Sequence, residues 1–372
     1  MSIISRYRTD VAIIGAGPAG SSCAKILSEN GIPNILLEKK RLPGTPVQCA
    51  EFVPLNINQY IDLKAAEKAV SQRINYMDVD TGINTYRFEG KGFMLNRENF
   101  DLYLANFAAG SGSKLMTGMA ASTITKTGNR ILVNDTIKNG FVEIDYKYLV
   151  IANGAKSFFN TNTFKTGLRL KNSAYIYAVQ VRTDLLKTID STLIYFRHYI
   201  PYGYGWVFPK NNLANVGIGI EKPASNMPLN ISLDIFLNEV KKAGIIGNKV
   251  TAKTAGLVPL SGLNEITSGN IALCGDAAGL THPITGAGIL SAVISGLLLG
   301  ETLSKSLKCG NNLLNEYKEE LVFIFGNTLS KAQSKRQIFY LKKYDNLKPD
   351  EIDEIVKRTW PPFSAINPQN PV

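Results

Sequence analysis

The sequence predicts an α/β fold: a Rossmann-like unit interrupted by an antiparallel β-sheet and followed by a C-terminal helical segment. Three stretches predict it. Residues 9–31, TDVAIIGAGPAGSSCAKILSENG, read as a short apolar strand, a Gly-rich turn and a helix. Residues 270–296, NIALCGDAAGLTHPITGAGILSAVISG, repeat that order with a second Gly-rich loop. Between them AYIYAVQVRT, STLIYFRHYI and LANVGIGIEK carry the apolar alternation of antiparallel strands. The length of 372 residues suits two units. The expected boundaries are 1–75, 93–165 and 265–310 for the Rossmann-like unit, 76–92 and 166–264 for the sheet, and 311–372 for the helical segment.

Each element has a reason. In the first turn, Gly15, Ala16, Gly17, Pro18, Ala19 and Gly20 form GxGxxG. The first glycine permits the tight turn, the second lets a pyrophosphate approach the backbone, and the third lets helix pack on strand. Asn30–Gly31 end the helix, and IPNILLEKK follows as a strand ending at Glu38 and Lys39. Glu38 stands 18 residues past Gly20, where a carboxylate accepts from the ribose hydroxyls of an adenosine. The turn therefore predicts a dinucleotide. In the second loop, Gly275–Asp276 follow a strand, and a helix opens at Gly286, Gly288 and Ile289. Asp276 is placed for a ribityl hydroxyl, and the helix N-terminus for the electron-rich edge of a flavin. The pair of motifs resembles the flavoprotein superfamily that includes the aromatic hydroxylases, and that resemblance implies FAD. It also implies FAD contacts from Arg97, which opens the predicted helix in LNRENFDLYLANFAAGSG, and from Ala121. KYLVIANGAKS reads as a strand ending at Gly154. It carries Asn153–Gly154 where relatives have Asp–Gly, so a pyridine-nucleotide role does not transfer there.

One segment, PYGYGWVFP (201–209), concentrates rigid aromatics between two prolines. On a strand, Tyr204, Trp206 and Phe208 share one face, with Pro209 closing it. With PVQCAE, NRENFD and GDAAGLTHPITGAGI, this segment resembles the geranylgeranyl reductase family, archaeal digeranylgeranylglycerophospholipid reductases included, over residues 10–300. The resemblance implies that Tyr204, Trp206, Phe208 and Pro209 wall a lipid pocket, as an apolar prenyl chain requires. It implies hydride transfer from reduced FAD to an isolated C=C bond, with a proton reaching the other carbon. Cys49 and Tyr204 are the candidate proton donors, and Cys49 and Ala50 also lie on the cofactor side. Packing at a domain interface is the alternative for the aromatics, and a small buried hydrophobe, or an element of shape, is the alternative for Cys49. His282 has a flavin-loop or a packing role. Phe52 replaces the glycine that relatives often carry, which is expected either to narrow the pocket or to alter cofactor packing.

Composition adds limits. The formal net charge of +11 suits an acidic partner: an electron carrier such as ferredoxin, or an anionic lipid surface. NAD(P)H is the alternative donor. Dispersed lysines argue against nucleic acid. Four cysteines without CxxC spacing and two histidines predict no metal site. The most apolar run, 288–300, is shorter than the roughly 20 residues of a membrane span. The expectation is a cytoplasmic enzyme with peripheral contact at the inner face of the membrane. Two other readings stay open: a flavin monooxygenase or halogenase on the same scaffold, and a non-catalytic lipid-binding flavoprotein.

Overall fold

A computed structural model describes residues 3–124, 129–155, 174–221, 227–341, 344 and 347–366. The expected boundary at 165/166 lies outside them. The chain opens with β1 (Ile3–Arg8), β2 (Val11–Ile14), α1 (Pro18–Glu29) and β3 (Asn34–Glu38). A short β4 (Phe52–Pro54) precedes the long hairpin β5 (Val70–Asp80) and β6 (Thr85–Leu95), then α2 (Arg97–Gly110). Next come β7 (Lys114–Thr117), β8 (Met119–Ile124), β9 (Arg130–Asp135), β10 (Gly140–Asp145) and β11 (Tyr148–Ile151). The central strands are β12 (Tyr175–Leu185), β13 (Ser191–Tyr195), β14 (Tyr204–Lys210) and β15 (Leu213–Glu221), followed by α3 (Leu229–Lys242) and β16 (Ile246–Pro259). The chain closes with β17 (Thr267–Ser268), β18 (Ile271–Leu273), α4 (Ile289–Cys309), α5 (Leu314–Leu321), α6 (Asn327–Phe339), α7 (Pro349–Thr359) and α8 (Pro361–Ile366).

Among the described residues these strands form three sheets. The six-stranded sheet runs β17–β18–β11–β2–β3–β7, and all its pairings except β17 with β18 are parallel. Every residue of β2 and β3 is buried, which is why they read as unbroken apolar runs rather than alternating ones. A four-stranded sheet, β1–β10–β9–β8, stands beside it.

The eight-stranded sheet runs β16–β12–β15–β14–β13–β5–β6–β4. It is antiparallel with one correction: β13 pairs with β5 in parallel. These two strands lie far apart in the chain, so no hairpin turn dictates their direction. The sheet also takes in β4 and all of β5 from Val70.

Strand β14 shows the period of two. Val207 faces α3, in a cluster with Ile200, Val216, Ile218 and Phe236. Trp206 and Phe208 face the other way, into a cluster with Phe196, Phe339, Tyr344, Leu347, Val356 and Trp360. Helices α6 and α7 therefore cover part of the aromatic face.

The helix that opens in the apolar run 288–300 continues past it to Cys309. At 21 residues, α4 is long and apolar enough to cross a membrane by length and composition alone. Here it packs on α1. A Cβ on Gly296 would lie 2.1 Å from the Ala19 carbonyl oxygen, and one on Gly300 would lie 2.7 Å from Cβ of Ile26. The two glycines let the helix backbones approach where any side chain would force them apart.

Candidate active site

The first half of the site is made of backbone. Gly15 adopts φ +105°, and a Cβ there would meet the Ala152 carbonyl oxygen at 2.4 Å. A Cβ on Gly20 would lie 1.9 Å from the Gly15 carbonyl oxygen, so this position locks α1 against the turn. Gly17 is different: a Cβ there meets nothing within 4 Å. It is the N-cap of α1 and provides no side-chain cap, with Pro18 opening the helix, so no capping side chain takes up the first-turn N–H groups. Glu38 stands over the turn, accepting from Ala16 N (3.1 Å) and Lys40 N (3.0 Å). Lys39 is exposed beside it, and Ala121 sits on β8 opposite Val133. Beside Gly15, the buried Oδ1 of Asn153 has no hydrogen-bond partner among the described residues.

The second half lies at the head of α4. Gly288 is its N-cap, again without a side-chain cap, and a Cβ there would fall 2.8 Å from Oδ1 of Asp276. Asp276 accepts from the Thr281 hydroxyl (2.7 Å), and burial raises its carboxyl above the ordinary value. Gly275 N donates to Ser295 Oγ (3.0 Å), which ties the loop to α4. Gly286 holds φ +68°, and Ile289 is buried as the first residue of the helix. His282 organises this loop: its Nδ1 accepts from Ile284 N (3.3 Å) and Thr285 N (3.2 Å). Burial lowers its pKa, so the ring is neutral with the proton on Nε2. Two uncapped helix N-termini, an orphaned acceptor and a sparsely bonded Asp276 fit FAD.

The aromatic strand meets this loop. Tyr204 donates its hydroxyl to the Thr285 carbonyl (2.5 Å), one residue before Gly286. Burial raises the phenol's pKa, so it stays protonated. Trp206 Nε1 donates to Gln180 Oε1 (3.3 Å), and Gln180 Nε2 donates to the Cys49 carbonyl (2.8 Å). Gln180 thus bridges the strand to the Cys49 loop. The Ala50 carbonyl accepts from Asn215 Nδ2 (3.3 Å). Arg97 stands beside Cys49 and is held by a bidentate pair with Asp101 (2.7 and 2.7 Å). Burial pushes the Cys49 thiol up, and the Arg97 charge opposes that rise. Phe52 packs edge-on to Phe208 (6.3 Å), extending the aromatic face, and Pro209 is buried opposite Ala214.

Sequence reasoning missed three residues. Glu51 is 1% exposed and collects four donors from four elements. Gln180 looked like one more position in an alternating strand. Trp360, on the segment without a recognised motif, packs edge-to-face with Tyr204 (5.2 Å) and Phe196 (5.3 Å) and covers part of the face expected to line an open pocket. The Pro361–Pro362 pair after Trp360 marked a chain corner, but nothing in the spacing showed what it would meet.

Two glycine-rich turns on one parallel sheet, with a second sheet closing over them, define an FAD-dependent oxidoreductase. Residues 9–188 match the family described as pyridine nucleotide-disulphide oxidoreductase, and residues 172–258 match the geranylgeranyl reductase catalytic domain. A digeranylgeranylglycerophospholipid reductase of Methanococcus vannielii is 32% identical over 325 residues, covering 84% of this chain and 80% of that one. A geranylgeranyl bacteriochlorophyll reductase-like protein of Thermoplasma acidophilum superposes with a TM-score of 0.82 at 23% identity, covering 98% and 99% of the two chains. The flavin-dependent monooxygenase PieE, solved with FAD and substrate, shares the fold at TM-score 0.73 and 15% identity, covering 97% of this chain and 72% of its own. The chain belongs to the geranylgeranyl reductase family of FAD-dependent enzymes.

Proposed function

We propose that this enzyme saturates C=C bonds in the geranylgeranyl chains of membrane phospholipids or their precursors, with the Tyr204–Pro209 strand as the wall that seats the prenyl chain. The observation that carries this reading is the bond from Tyr204 to Thr285: it anchors an aromatic strand to the loop that opens α4. Reduced FAD, when bound, supplies the hydride equivalent. The protein's own residues do the rest. The backbone from Gly15 to Gly20, together with Glu38, Lys39, Arg97, Ala121, Gly275, Asp276, Gly286, Gly288 and Ile289, holds the dinucleotide. Trp206 and Phe208 exclude water, which an unactivated alkene requires, while Pro209, on the alternate face beside Val207, fixes the end of the strand. Cys49 carries the proton to the second carbon, and Tyr204, protonated and fixed by Thr285, is the lesser donor. The +11 charge supports an acidic protein electron carrier, and peripheral contact with an anionic membrane leaflet.

The test is anaerobic incubation of the dithionite-reduced holoenzyme with an unsaturated digeranylgeranyl phospholipid, followed by lipid mass spectrometry. Mass gains in steps of two hydrogens are expected. A wild-type enzyme that leaves the lipid unchanged, or adds oxygen when air is admitted, would overturn the proposal. Full turnover by Cys49→Ala would remove Cys49 from the proton path.

A further inference from the structure

We infer that Glu51 is the positioning residue for Cys49, fixing both the place of the thiol and the charge around it. The inference rests on the reading of Cys49 as the proton-carrying residue. Glu51 is a non-glycine residue at φ +76°, a conformation that persists only where its surroundings enforce it. Those surroundings are unusually complete. Oε1 accepts from Arg97 N (2.8 Å), the first residue of α2, whose N-cap Asn96 gives no side-chain cap. Glu51 therefore serves as the missing cap and puts its charge at the positive end of the helix. Oε2 accepts from Arg182 on β12 (3.0 Å), Lys210 on β14 (2.6 Å) and Asn215 on β15 (2.7 Å). Lys210 ends the aromatic strand itself, so one carboxylate joins that strand to the Cys49 loop.

The link to Cys49 is direct. The Glu51 backbone N–H donates to Cys49 Sγ (3.2 Å). The charged and titratable groups around the pair are Arg97, Glu98 and Asp101 on α2, Arg182 on β12, and Tyr204 and Lys210 on β14. Arg97 favours the thiolate and the Glu51 carboxylate opposes it. Replacing Glu51 by a neutral residue removes the opposing charge and leaves Arg182 and Lys210 without their shared anion. Both changes stabilise the thiolate.

The test reads the alkylation rate of Cys49 by iodoacetamide against pH, in holoenzyme carrying Cys309→Ser because Cys309 is exposed. Glu51→Gln should move the midpoint down by about one pH unit, a tenfold change in thiolate fraction. Lys210→Met, which removes a cation, should move it up, and Glu51→Asp should restore it toward the parent value. A loop that had merely loosened would react faster at every pH with an unmoved midpoint, and that result would overturn the inference. Should Glu51→Gln fail to fold, an unmoved midpoint in Lys210→Met does the same. Lipid turnover is scored separately: Glu51→Gln is expected to lose more than tenfold in kcat. If Cys49→Ala reduces lipid normally while the midpoints move as described, the catalytic reading of Cys49 fails and the Glu51 coupling stands.

Discussion

The nucleotide turn and the aromatic strand lie on different sheets, and the two halves of the proposed site are made of different materials. Around Gly15–Gly20 the working surface is main chain, and what matters is the absence of side chains. Around Tyr204–Pro209 it is ring against ring, and what matters is which distant elements bring their rings. The first kind of site is local and written in glycine spacing. The second is assembled from β12, β14, the Cys49 loop and the end of α7. A backbone site fails by collision; a side-chain site fails by loss of partners.

The largest effect is expected where collision is unavoidable. Gly20→Ala sets a Cβ against the Gly15 carbonyl, and backbone cannot step aside cheaply. Purified protein should carry almost no flavin by its visible absorbance and should lose at least about 1–3 kcal/mol of stability. Gly17→Ala sharpens the contrast, because its Cβ meets no protein atom. Its apoprotein stability should stay within about 0.5 kcal/mol of the parent, with only flavin affinity reduced. Equal thermal destabilisation by both variants would break the distinction between packing glycine and ligand glycine.

A smaller but still large effect belongs to the other region. Trp360→Ala removes a ring that is 2% exposed and touches Tyr204 and Phe196, so a loss of roughly 3–5 kcal/mol is expected in denaturant unfolding. Flavin content under native conditions should fall far less than in Gly20→Ala, because Trp360 reaches the flavin loop only through Tyr204. Loss of flavin in parallel with stability would show that the two regions are not separable.

The smallest effect is an order of events in acid. His282 has a folded pKa lowered from its ordinary value, so its neutral form contributes stability above about pH 6.5 that declines as pH falls below it. Asp353 ties α7 to the β5–β6 hairpin through Thr81 (2.6 Å) and Tyr86 (3.0 Å). Its folded pKa is also lowered, so its contribution persists down to about pH 3.9 and fades only below. Flavin fluorescence should therefore rise, as cofactor is released, at a higher pH than the one that changes the tryptophan signal of the C-terminal helices. The reverse order would contradict the assignment of His282 to the flavin loop.

How much of this was legible follows the same division. GxGxxG, Glu38 at the end of the second strand and Gly275–Asp276 ahead of a helix were all visible, because each belongs to one contiguous strand–turn–helix stretch of sequence. The alternation of Tyr204, Trp206 and Phe208 was visible too, as one face of a strand. What covers that face was not, since Trp360 lies more than 150 residues later. The parallel pairing of β5 with β13 was hidden for a related reason: with no tight turn between them, alternation gives a strand but not its direction. Glu51 was in plain sight beside Cys49. Its importance comes from donors on β12, β14 and β15, which no periodicity connects. The apolar run 288–300 did not show the full length of α4, because Glu301, Lys305 and Lys308 interrupt its composition without interrupting the helix.

The order of the parallel sheet has a consequence for how the protein is made. β2, the second strand of the chain, needs β11 on one flank, and β11 in turn needs β18, which ends at residue 273 of 372. The α1 face that meets Gly296 and Gly300 stays bare longer still. A nascent chain thus carries its nucleotide motif through most of translation without the wall it leans on. A ribosome that stopped short of about residue 300 would release not a smaller flavoprotein but an open sheet edge and an uncovered apolar helix, the kind of surface that chaperones hold and proteases remove.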